Sequence, residues 1–382
     1  MNFSYLMSTR VIAGAHCVYE NRAALAGLGK KALIVTGRNS AKANGAYADL
    51  VKALEANGQA HTLFDRVMSN PTVDCAYETA AMIRNEGCDF VIGIGGGSPM
   101  DTAKAAAAIA VNPVEKAAVY EASYTKALPL AEIATTAGTG SEVTQYAILT
   151  NNEGTLKKSI GAPALFPRVA FLDARYMLNM GRAVTVNTAI DALSHAVEGM
   201  LSVRASALSD TLAKESIAII AGCFGELLSW TETGAVKPPL PQETREKLLF
   251  ASTLAGMVIA QTGTTSVHAM GYEFTLAWGT DHGRANGLLL EAFLRFIEAK
   301  EKTGENGPPR IPAICAALGR GCGEPVELDQ FAGILNRLLG AREKADAGQI
   351  EAWTERAFLG KKNGYIAATR EELGRIFTAS VG

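Results

Sequence analysis

The side chains best suited to hold a metal ion lie in the second half of the chain. Asp191 and His195 are four positions apart in a helical pattern, so they share one face of a helix. His268 follows a segment rich in glycine and threonine, and His282 lies close to the start of another helical pattern. One carboxylate with three imidazoles suits a divalent first-row metal such as iron or zinc.

A second interpretation is that these histidines pack in the core or lie on the surface, which is the commoner outcome for a single histidine. The chain has only five histidines, and three of them occur in the segments just described, which favours a metal site. His16 and His61 lie in N-terminal segments with strand-like patterns, and we assign them no role.

A glycine-rich turn in the first third of the chain predicts a diphosphate site. A hydrophobic strand runs into the turn Gly95–Ser98, and a helical pattern follows. Ser98 is predicted to cap this helix, with Pro99 in its first position and Asp101 closing a capping box. Consecutive glycines let a ligand approach the backbone, where the N–H groups at the helix start point at it. The spacing differs from the usual dinucleotide fingerprint and from a P-loop, so a plain tight turn is the alternative.

A second loop, Thr135–Glu142, combines four hydroxyl side chains with two glycines. Hydroxyls and bare backbone N–H groups suit a ribose, a phosphate or a carboxamide. The alternative is a helix cap rich in serine and threonine.

The elements that would position these groups differ between the two halves of the chain. In the first half, strand patterns alternate with helical patterns, which is typical of a parallel sheet covered on both faces. The predicted elements are strands at Lys31–Gly37, His61–Phe64 and Asp89–Gly95 and helices at Tyr47–Asn57 and Val73–Glu86, the last ended by Gly87.

From residue 187 onward, strand patterns nearly vanish and long helical patterns follow. Helices are predicted at Thr188–Leu201, Ser209–Ser229, Thr244–Ala260 and Asn286–Glu298, and Lys302–Pro309 is predicted to be an exposed loop. We therefore expect two domains, an α/β domain with a parallel sheet at residues 1–182 and an all-helical domain at residues 183–382.

Composition excludes several classes of protein. The chain has 382 residues, of which 48% are hydrophobic and 19% charged, and its formal net charge is -2. This balance is that of a globular protein and does not favour nucleic-acid binding. The six cysteines form no C-x-x-C pair, the first residues lack a signal-peptide pattern, and no hydrophobic run has the length of a membrane span. We expect a cytoplasmic protein that binds neither nucleic acid nor membranes.

Five stretches together resemble the iron-containing (group III) alcohol dehydrogenase family. They occur in the family's order, and the resemblance covers the chain from about residue 3 to its end. The stretches are GGGSPMDTAK at 95–104, TTAGTGSEVT at 135–144, DALSHAVEG at 191–199, ASTLAGMVIAQTGTTSVHAMGY at 251–272 and DHGRAN at 281–286.

The resemblance implies a dehydroquinate synthase-like architecture, in which an α/β domain that binds a nicotinamide coenzyme precedes a helical metal-binding domain, with the active site in the cleft between them. It also implies hydride transfer between NAD(P)(H) and a small aliphatic alcohol or aldehyde. The metal acts as a Lewis acid; Fe²⁺ is the usual ion and Zn²⁺ the alternative. A homodimer is the assembly that the family suggests, with the edge of the N-terminal sheet as a contact.

The resemblance also implies which residues form the site. The implied metal ligands are Asp191, His195, His268 and His282. The implied coenzyme contacts are Asn70, Gly95, Gly96, Gly97, Ser98, Asp101, Thr135, Thr136, Thr139, Lys157 and Leu178.

The chain departs from the family at two positions. Many members carry a second histidine four residues after the third ligand, where this chain has Tyr272, so a proton relay through that histidine is not expected here. Many NAD-using members end the first nucleotide strand with an aspartate, where this chain has Gly37.

The second departure predicts a preference for NADP(H) over NAD(H), with NAD(H) still possible. An aspartate would accept hydrogen bonds from the ribose 2′-hydroxyl and repel a 2′-phosphate, whereas Gly37 leaves room and carries no charge. Arg38 and Ser40 follow and offer a cation and a hydroxyl to the phosphate, with Lys42 close by. The alternative is that Gly37 only serves the turn and that Arg38 points to solvent.

Two rival functions use the same fold. A sugar-phosphate cyclase resembling dehydroquinate synthase would need a cluster of basic residues for its phosphorylated substrate, but the ligand segments are flanked by Ala, Leu, Met, Val and Thr. A non-catalytic member of the fold would have no reason to keep all four ligands and both glycine loops. Both alternatives are therefore less favoured than the dehydrogenase.

Overall fold

The computed structural model describes residues 3–232, 240–304, 308–360 and 364–382. The chain divides into two compact units. One comprises Leu6–Asn179 together with Pro241–Leu249, and the other comprises the remaining segments of the chain. The first is built around a parallel sheet, and the second is helical.

The sheet unit contains six parallel strands in the order β1-β8-β5-β4-β2-β3 and a separate antiparallel hairpin, β6-β7. The strands are β1 (Arg10–Ala13), β2 (Lys31–Thr36), β3 (Ala60–Phe64), β4 (Phe90–Gly95), β5 (Leu130–Ala134), β6 (Tyr146–Thr150), β7 (Lys157–Gly161) and β8 (Val169–Leu172). The helices of this unit are α1 (Cys17–Glu20), α2 (Ala23–Ala26), α3 (Ser40–Ala43), α4 (Ala46–Ala56), α5 (Val73–Glu86) and α6 (Gly97–Ile109).

Both faces of the sheet are covered, as the continuous hydrophobic runs of β2 and β4 predict. On β2, Leu33 and Val35 pack into the core that contains residues of α5 and α6, whereas Ala32 and Ile34 pack into the opposite core with residues of α4. Adjacent strands β2 and β4 thus lead into helices on opposite faces. In parallel sheets, ligands bind outside the carboxyl ends of strands at such a switch point.

The predicted cap of α6 is wrong. Gly96 occupies the N-cap position without any side-chain cap bond, and the helix begins at Gly97, so Ser98 and Pro99 already lie in its first turn. Proline is tolerated there because the first N–H groups of a helix have no partner within the helix. The Asp101 carboxylate closes no capping box and instead contacts Ser141 and Ile148.

The helical unit is arranged around α7, most of whose residues are buried. Its helices are α7 (Arg182–Met200), α8 (Ala207–Gly222), α9 (Phe224–Glu232), α10 (Gln242–Thr262), α11 (Ser266–Trp278), α12 (His282–Lys302), α13 (Ile311–Cys322), α14 (Leu328–Leu339), α15 (Ala347–Leu359) and α16 (Arg370–Val381). α10 begins with residues that belong to the sheet unit.

The fold class predicted from the sequence is confirmed, and several element boundaries are corrected. The single helix predicted at 209–229 is two helices, because α8 ends at Gly222 and glycine is a weak helix former. α12 begins at His282 rather than at residue 286, so the predicted ligand lies inside its first turn. His16 does not lie in a strand: it has a positive φ of 60° at the start of α1.

Part of the predicted loop Lys302–Pro309 lies outside the described residues. Within the described ranges, no single helix has both the length and the apolar composition needed to cross a membrane. The pair α10 and α11, bent by 110°, meets those two criteria only when its members are taken together.

Candidate functional site

Three of the four predicted metal ligands converge in the helical unit. One donor atom each from Asp191, His268 and His282 lies within 4.8 Å of the other two. The Asp191 Oδ1 atom is 3.8 Å from Nε2 of His268 and 3.8 Å from Nε2 of His282. The ring of His195, the fourth predicted ligand, stacks on the His268 ring with the centroids 4.6 Å apart. The structure therefore groups the donor atoms of three predicted ligands and places the ring of the fourth, His195, against one of them.

Three helices position these groups. Asp191 and His195 lie one turn apart on α7, His268 is in the first turn of α11, and His282 is the first residue of α12. α12 approaches α7 closely because Gly283 has no side chain: a Cβ at this position would lie 1.8 Å from the Asn187 carbonyl oxygen.

Glu198 is a buried carboxylate that holds His268. Its Oε2 atom makes a short contact with Nδ1 of His268. Its Oε1 atom accepts a hydrogen bond from the Thr265 hydroxyl at 2.6 Å. The same atom also accepts from the backbone N–H groups of Thr265, at 2.8 Å, and of Val267, at 3.0 Å. Burial acts to raise the pKa of Glu198, but the His268 imidazole and the Thr265 donors outweigh it, so the pKa lies below its ordinary value. A carboxylate only accepts hydrogen bonds, so Nδ1 of His268 carries the proton and Nε2 presents its lone pair to the ligand cluster.

Asn286 lies against the same cluster from α12. Its amide nitrogen donates to Asp191 Oδ1 at 3.0 Å and is 3.1 Å from Nε2 of His268 and 3.3 Å from Nε2 of His282. The amide oxygen is buried and has no hydrogen-bond partner among the described residues. Gly271 provides the space for this amide, because a Cβ there would lie 2.2 Å from the Asn286 Oδ1 atom.

Sequence reasoning missed both Glu198 and Asn286, although spacing could have found them. Glu198 lies seven residues after Asp191 and three after His195, and Asn286 lies four residues after His282. Residues at these intervals share a helix face. Tyr272, which replaces the histidine found in many members, stacks on the His282 ring with the centroids 5.3 Å apart.

In the sheet unit, the predicted coenzyme residues follow the carboxyl ends of neighbouring strands. The turn Gly95–Ser98 begins at the last residue of β4, and the loop that begins at Thr135 follows β5. These two segments touch: the Thr135 N–H donates to the Gly95 carbonyl at 2.9 Å. A Cβ on Gly96 would lie 2.9 Å from Oγ1 of Thr136, and a Cβ on Gly97 would lie 2.9 Å from Cγ2 of Thr139. The two predicted coenzyme loops therefore form one surface.

This packing corrects one detail of the sequence interpretation. The missing side chains of Gly96 and Gly97 make room for threonines of the protein itself, and not only for a ligand. Glycine in this turn therefore serves two purposes. It lets the threonines of the second loop pack against the turn, and it would let a coenzyme diphosphate approach the backbone N–H groups.

Asn70 and Lys157, which only the family resemblance suggested, also lie together. The Lys157 Nζ atom donates to the Asn70 Oδ1 atom at 2.9 Å. Asn70 has a φ of 55°, a conformation that asparagine adopts more readily than most residues. Leu178 lies just after a short 3₁₀ helix, Ala174–Met177, that follows β8, and it is half-buried.

The Asp101 carboxylate faces the protein in this structure. It accepts hydrogen bonds from the Ser141 hydroxyl at 2.7 Å and from the Ile148 N–H at 3.1 Å. Burial raises its pKa, and Lys104 acts in the opposite direction. Asp101 therefore shapes the loop that carries the predicted contacts.

The end of β2 presents Gly37 and the exposed residues Arg38 and Ser40. A Cβ on Gly37 would meet the Val67 carbonyl oxygen at 3.5 Å, an ordinary contact, so a side chain fits there. Lys42, expected near a 2′-phosphate, forms an ion pair with Asp65 at 2.5 Å, and this hydrogen bond lowers the pKa of Asp65. Arg38 is thus the better candidate for a phosphate contact.

The chain was compared with known protein families. The family model for iron-containing alcohol dehydrogenase matches residues 8–174, and the C-terminal model of the Fe-containing alcohol dehydrogenase family matches residues 185–381. The chain belongs to the iron-containing alcohol dehydrogenase family. The resemblance inferred from the five sequence stretches is therefore confirmed.

Individual relatives agree with this assignment. Lactaldehyde reductase of Escherichia coli strain K12 is 35% identical over 272 residues, which cover 70% of this chain and 68% of that protein. An iron-containing alcohol dehydrogenase from Thermotoga maritima superposes with a TM-score of 0.85 at 37% identity, covering 100% of this chain and 99% of that one. Sulfoacetaldehyde reductase from Bifidobacterium kashiwanohense, solved in complex with NAD⁺, gives a TM-score of 0.83 at 28% identity and full coverage of both chains.

The protein is an alcohol dehydrogenase or aldehyde reductase, an oxidoreductase that acts on alcohols or the corresponding aldehydes. The predicted class of function is thereby confirmed. Family membership further implies a metal ion and a nicotinamide coenzyme.

Proposed function

We propose that Asp191, His195, His268 and His282 hold a divalent metal ion in the helical unit. The observation that carries this proposal is the convergence of three donor atoms within 4.8 Å of one another. The donor set fits such an ion, because one carboxylate and neutral imidazoles are ligands of iron and zinc. The Glu198 contact supports the assignment, since a metal-bound histidine usually donates its other ring N–H to a carboxylate or carbonyl.

The proposed ion is Fe²⁺, with Zn²⁺ as the alternative that the same ligands accept. Elemental analysis of anaerobically purified protein decides between them. A stoichiometric metal that is neither ion, or no bound metal, contradicts the proposal.

The proposed coenzyme surface is the joined pair of loops in the sheet unit. The turn at Gly95, Gly96, Gly97 and Ser98 would present the N–H groups of α6 to the diphosphate, because N–H groups at a helix start attract anions. The other proposed contacts are Thr135, Thr136 and Thr139 on the second loop, together with Asn70, Lys157 and Leu178. Asp101, also expected to contact the coenzyme, is proposed to contribute by holding the second loop through Ser141 and Ile148.

We propose NADP(H) as the preferred coenzyme, with NAD(H) as the weaker one. Gly37 ends β2 without a negative charge, and Arg38 and Ser40 are exposed beside it, available to a 2′-phosphate. The ion pair between Lys42 and Asp65 removes one cation from that set. The comparison of kcat/KM for the two coenzymes tests this preference.

The proposed substrate is a small aliphatic alcohol or aldehyde, the class named by several relatives. The metal would act as a Lewis acid on the substrate oxygen, and the nicotinamide would accept or give the hydride. The chain's own contribution is orientation: Glu198 fixes the His268 tautomer, and Asn286 holds the Asp191 oxygen. We assign residues 183–382 to metal binding and residues 1–182 to coenzyme binding.

A panel of small alcohols and aldehydes, followed at the absorbance band of the reduced nicotinamide, tests the reaction. We expect turnover with at least one member, its loss on chelation, and its return with Fe²⁺ or Zn²⁺. Turnover that survives complete metal removal contradicts the metal assignment.

We also propose a homodimer. Among the described residues, the strand β1 lies at one edge of the six-stranded sheet and pairs only with β8, and Leu6, four residues before it, is 51% exposed. An open strand edge beside apolar surface favours association between copies. Sedimentation equilibrium measures the assembly directly, and a monomer at micromolar concentration contradicts the proposal.

A further inference from the structure

Lys104 is a fully buried lysine in α6, and the coenzyme and metal assignments above do not use it. Its Nζ atom donates to the carbonyl oxygens of Ser141, in a short contact, and of Tyr146, at 3.0 Å. It also lies 2.7 Å from the Ser141 hydroxyl oxygen and 3.2 Å from the Thr144 hydroxyl oxygen. The amino group of one side chain thus contacts the chain at three positions between 141 and 146.

These contacts require a protonated amine. Carbonyl oxygens can only accept, and the Ser141 hydroxyl already gives its proton to Asp101 at 2.7 Å, so it too accepts from Lys104. Three N–H donors are therefore used. Burial lowers the pKa of Lys104, while the nearby carboxyls of Asp101, Glu132 and Glu142 act to raise it.

Asp101, three residues before Lys104 on α6, also bonds to this part of the chain. Its carboxylate accepts from the Ser141 hydroxyl and from the Ile148 N–H in β6. Lys104 and Asp101 together fasten the segment 141–148 to the helix whose first turn carries the glycines. The loop that leads into this segment carries Thr136 and Thr139, which pack on Gly96 and Gly97.

We infer that Lys104 is a positioning residue for coenzyme binding, which holds the loop 135–146 against α6 so that this loop and the glycine turn present one fixed surface. The inference rests on the proposed coenzyme site. Lys104 acts through the loop and touches no coenzyme atom. Its loss should leave the glycine turn in place and loosen the loop that completes the coenzyme surface.

Glu132 offers a matched control within the same buried cluster. It lies in β5, is fully buried, and has no hydrogen-bond partner for either carboxyl oxygen among the described residues. Burial raises its pKa well above the ordinary value. A Cβ on Gly93 would lie 2.5 Å from the Glu132 Oε2 atom, so the side chain fills a space made for it, but it makes no bond to the loop. Glu132→Gln therefore perturbs the cluster and leaves the link to the loop intact.

The experiment measures binding of NADP⁺ and NAD⁺ by titration calorimetry to the metal-loaded wild type, Lys104→Met and Glu132→Gln. Loss of two or three charge-assisted hydrogen bonds from the loop is expected to weaken coenzyme binding by about tenfold or more in Lys104→Met. The KM for coenzyme should rise by a similar factor, while metal content, the KM for the alcohol and kcat at saturation change little. Glu132→Gln should bind coenzyme within about twofold of the wild type.

Two results overturn the inference: coenzyme binding by Lys104→Met within twofold of the wild type, or an equal loss in Lys104→Met and Glu132→Gln. If Lys104→Met does not fold, Lys104→Gln replaces it, since the amide retains two N–H donors without the charge, and the same two results decide. Binding of neither coenzyme by the wild type overturns the coenzyme site itself, and the role of Lys104 with it.

Discussion

The candidate metal centre and the candidate coenzyme surface are built on opposite principles. The candidate metal centre depends on side chains that are present: the Asp191 carboxylate and the imidazoles of His268 and His282, with the His195 ring stacked on His268 and with Glu198 and Asn286 behind them. The coenzyme surface depends on side chains that are absent, because Gly96 and Gly97 allow the turn to meet Thr136 and Thr139. The metal centre should therefore lose its ligand when a side chain is shortened, whereas the coenzyme surface should lose its ligand when a side chain is added.

Removal of a ligand should give the largest effect. His268→Ala and His282→Ala are expected to lose the metal and to lower kcat/KM by roughly a thousandfold, because the Lewis acid contributes several kcal/mol to the transition state. Metal content and circular dichroism are measured beside activity, and coenzyme binding should persist.

His61→Ala is the matched control for this loss. His61 lies in β3 of the sheet unit, so its removal should leave the metal content unchanged. Full metal content in both ligand variants would show that the cluster is a packing feature of the helical unit.

Addition of a side chain to the glycine turn should have the next largest effect and the opposite selectivity. In Gly96→Val or Gly97→Val, the new Cβ would lie 2.9 Å from a threonine of the second loop and force the loops apart. We expect coenzyme affinity to fall on the order of a hundredfold, about 2.7 kcal/mol, while metal content is unchanged. Coenzyme titration and elemental analysis measure the two properties separately.

Gly27→Val controls for the substitution itself, because Gly27 is exposed and a Cβ there meets no atom within 4 Å. It should bind coenzyme as the wild type does. Normal coenzyme binding by Gly96→Val would mean that the turn is only structural.

The same contrast explains what could be read from the sequence. Residue type and spacing identified the scarce groups Asp191 and His195, and the 14-residue helix ended by Gly87 was predicted to its last residue because its local signals agree. The capping role of Asp101 was mispredicted because its carboxylate bonds to Ser141, 40 residues further along the chain. Ser98 is not the cap because α6 already begins at Gly97. Glu198 was missed because a glutamate in a helix is usually at the surface, although its spacing from Asp191 and His195 places it on their helix face.

Glu198→Gln tests the residue that orients a metal ligand, His268, without removing any of the proposed ligands. The glutamine NH₂ would face the Nδ1–H of His268, so the imidazole would have to move its proton to Nε2, the atom required for the metal. Metal affinity should fall about tenfold to a hundredfold, as for other residues behind a ligand. Competition with a chelator of known affinity measures it.

Glu273→Gln is the control for this variant. Glu273 is likewise a buried carboxyl, but it lies on α11, the helix of His268, and pairs with Arg356. It should keep the metal affinity of the wild type. An unchanged affinity in folded Glu198→Gln would show that Glu198 serves only the packing of α7 and α11.

The smallest expected effect concerns the preference for NADP over NAD, which we attribute to the absence of a side chain at Gly37. Gly37→Asp places a carboxylate at the end of β2, where a Cβ meets only the Val67 carbonyl oxygen at 3.5 Å, so the change is tolerated sterically. Repulsion of a 2′-phosphate and acceptance of a 2′-hydroxyl should move the ratio of kcat/KM toward NAD by about tenfold, since such charges near the surface interact by about 1 kcal/mol or somewhat more. Gly37→Asn has the same shape without the charge and should keep most of the NADP preference. A wild type that already favours NAD, or an equal change in both variants, would place the 2′-position elsewhere than the end of β2.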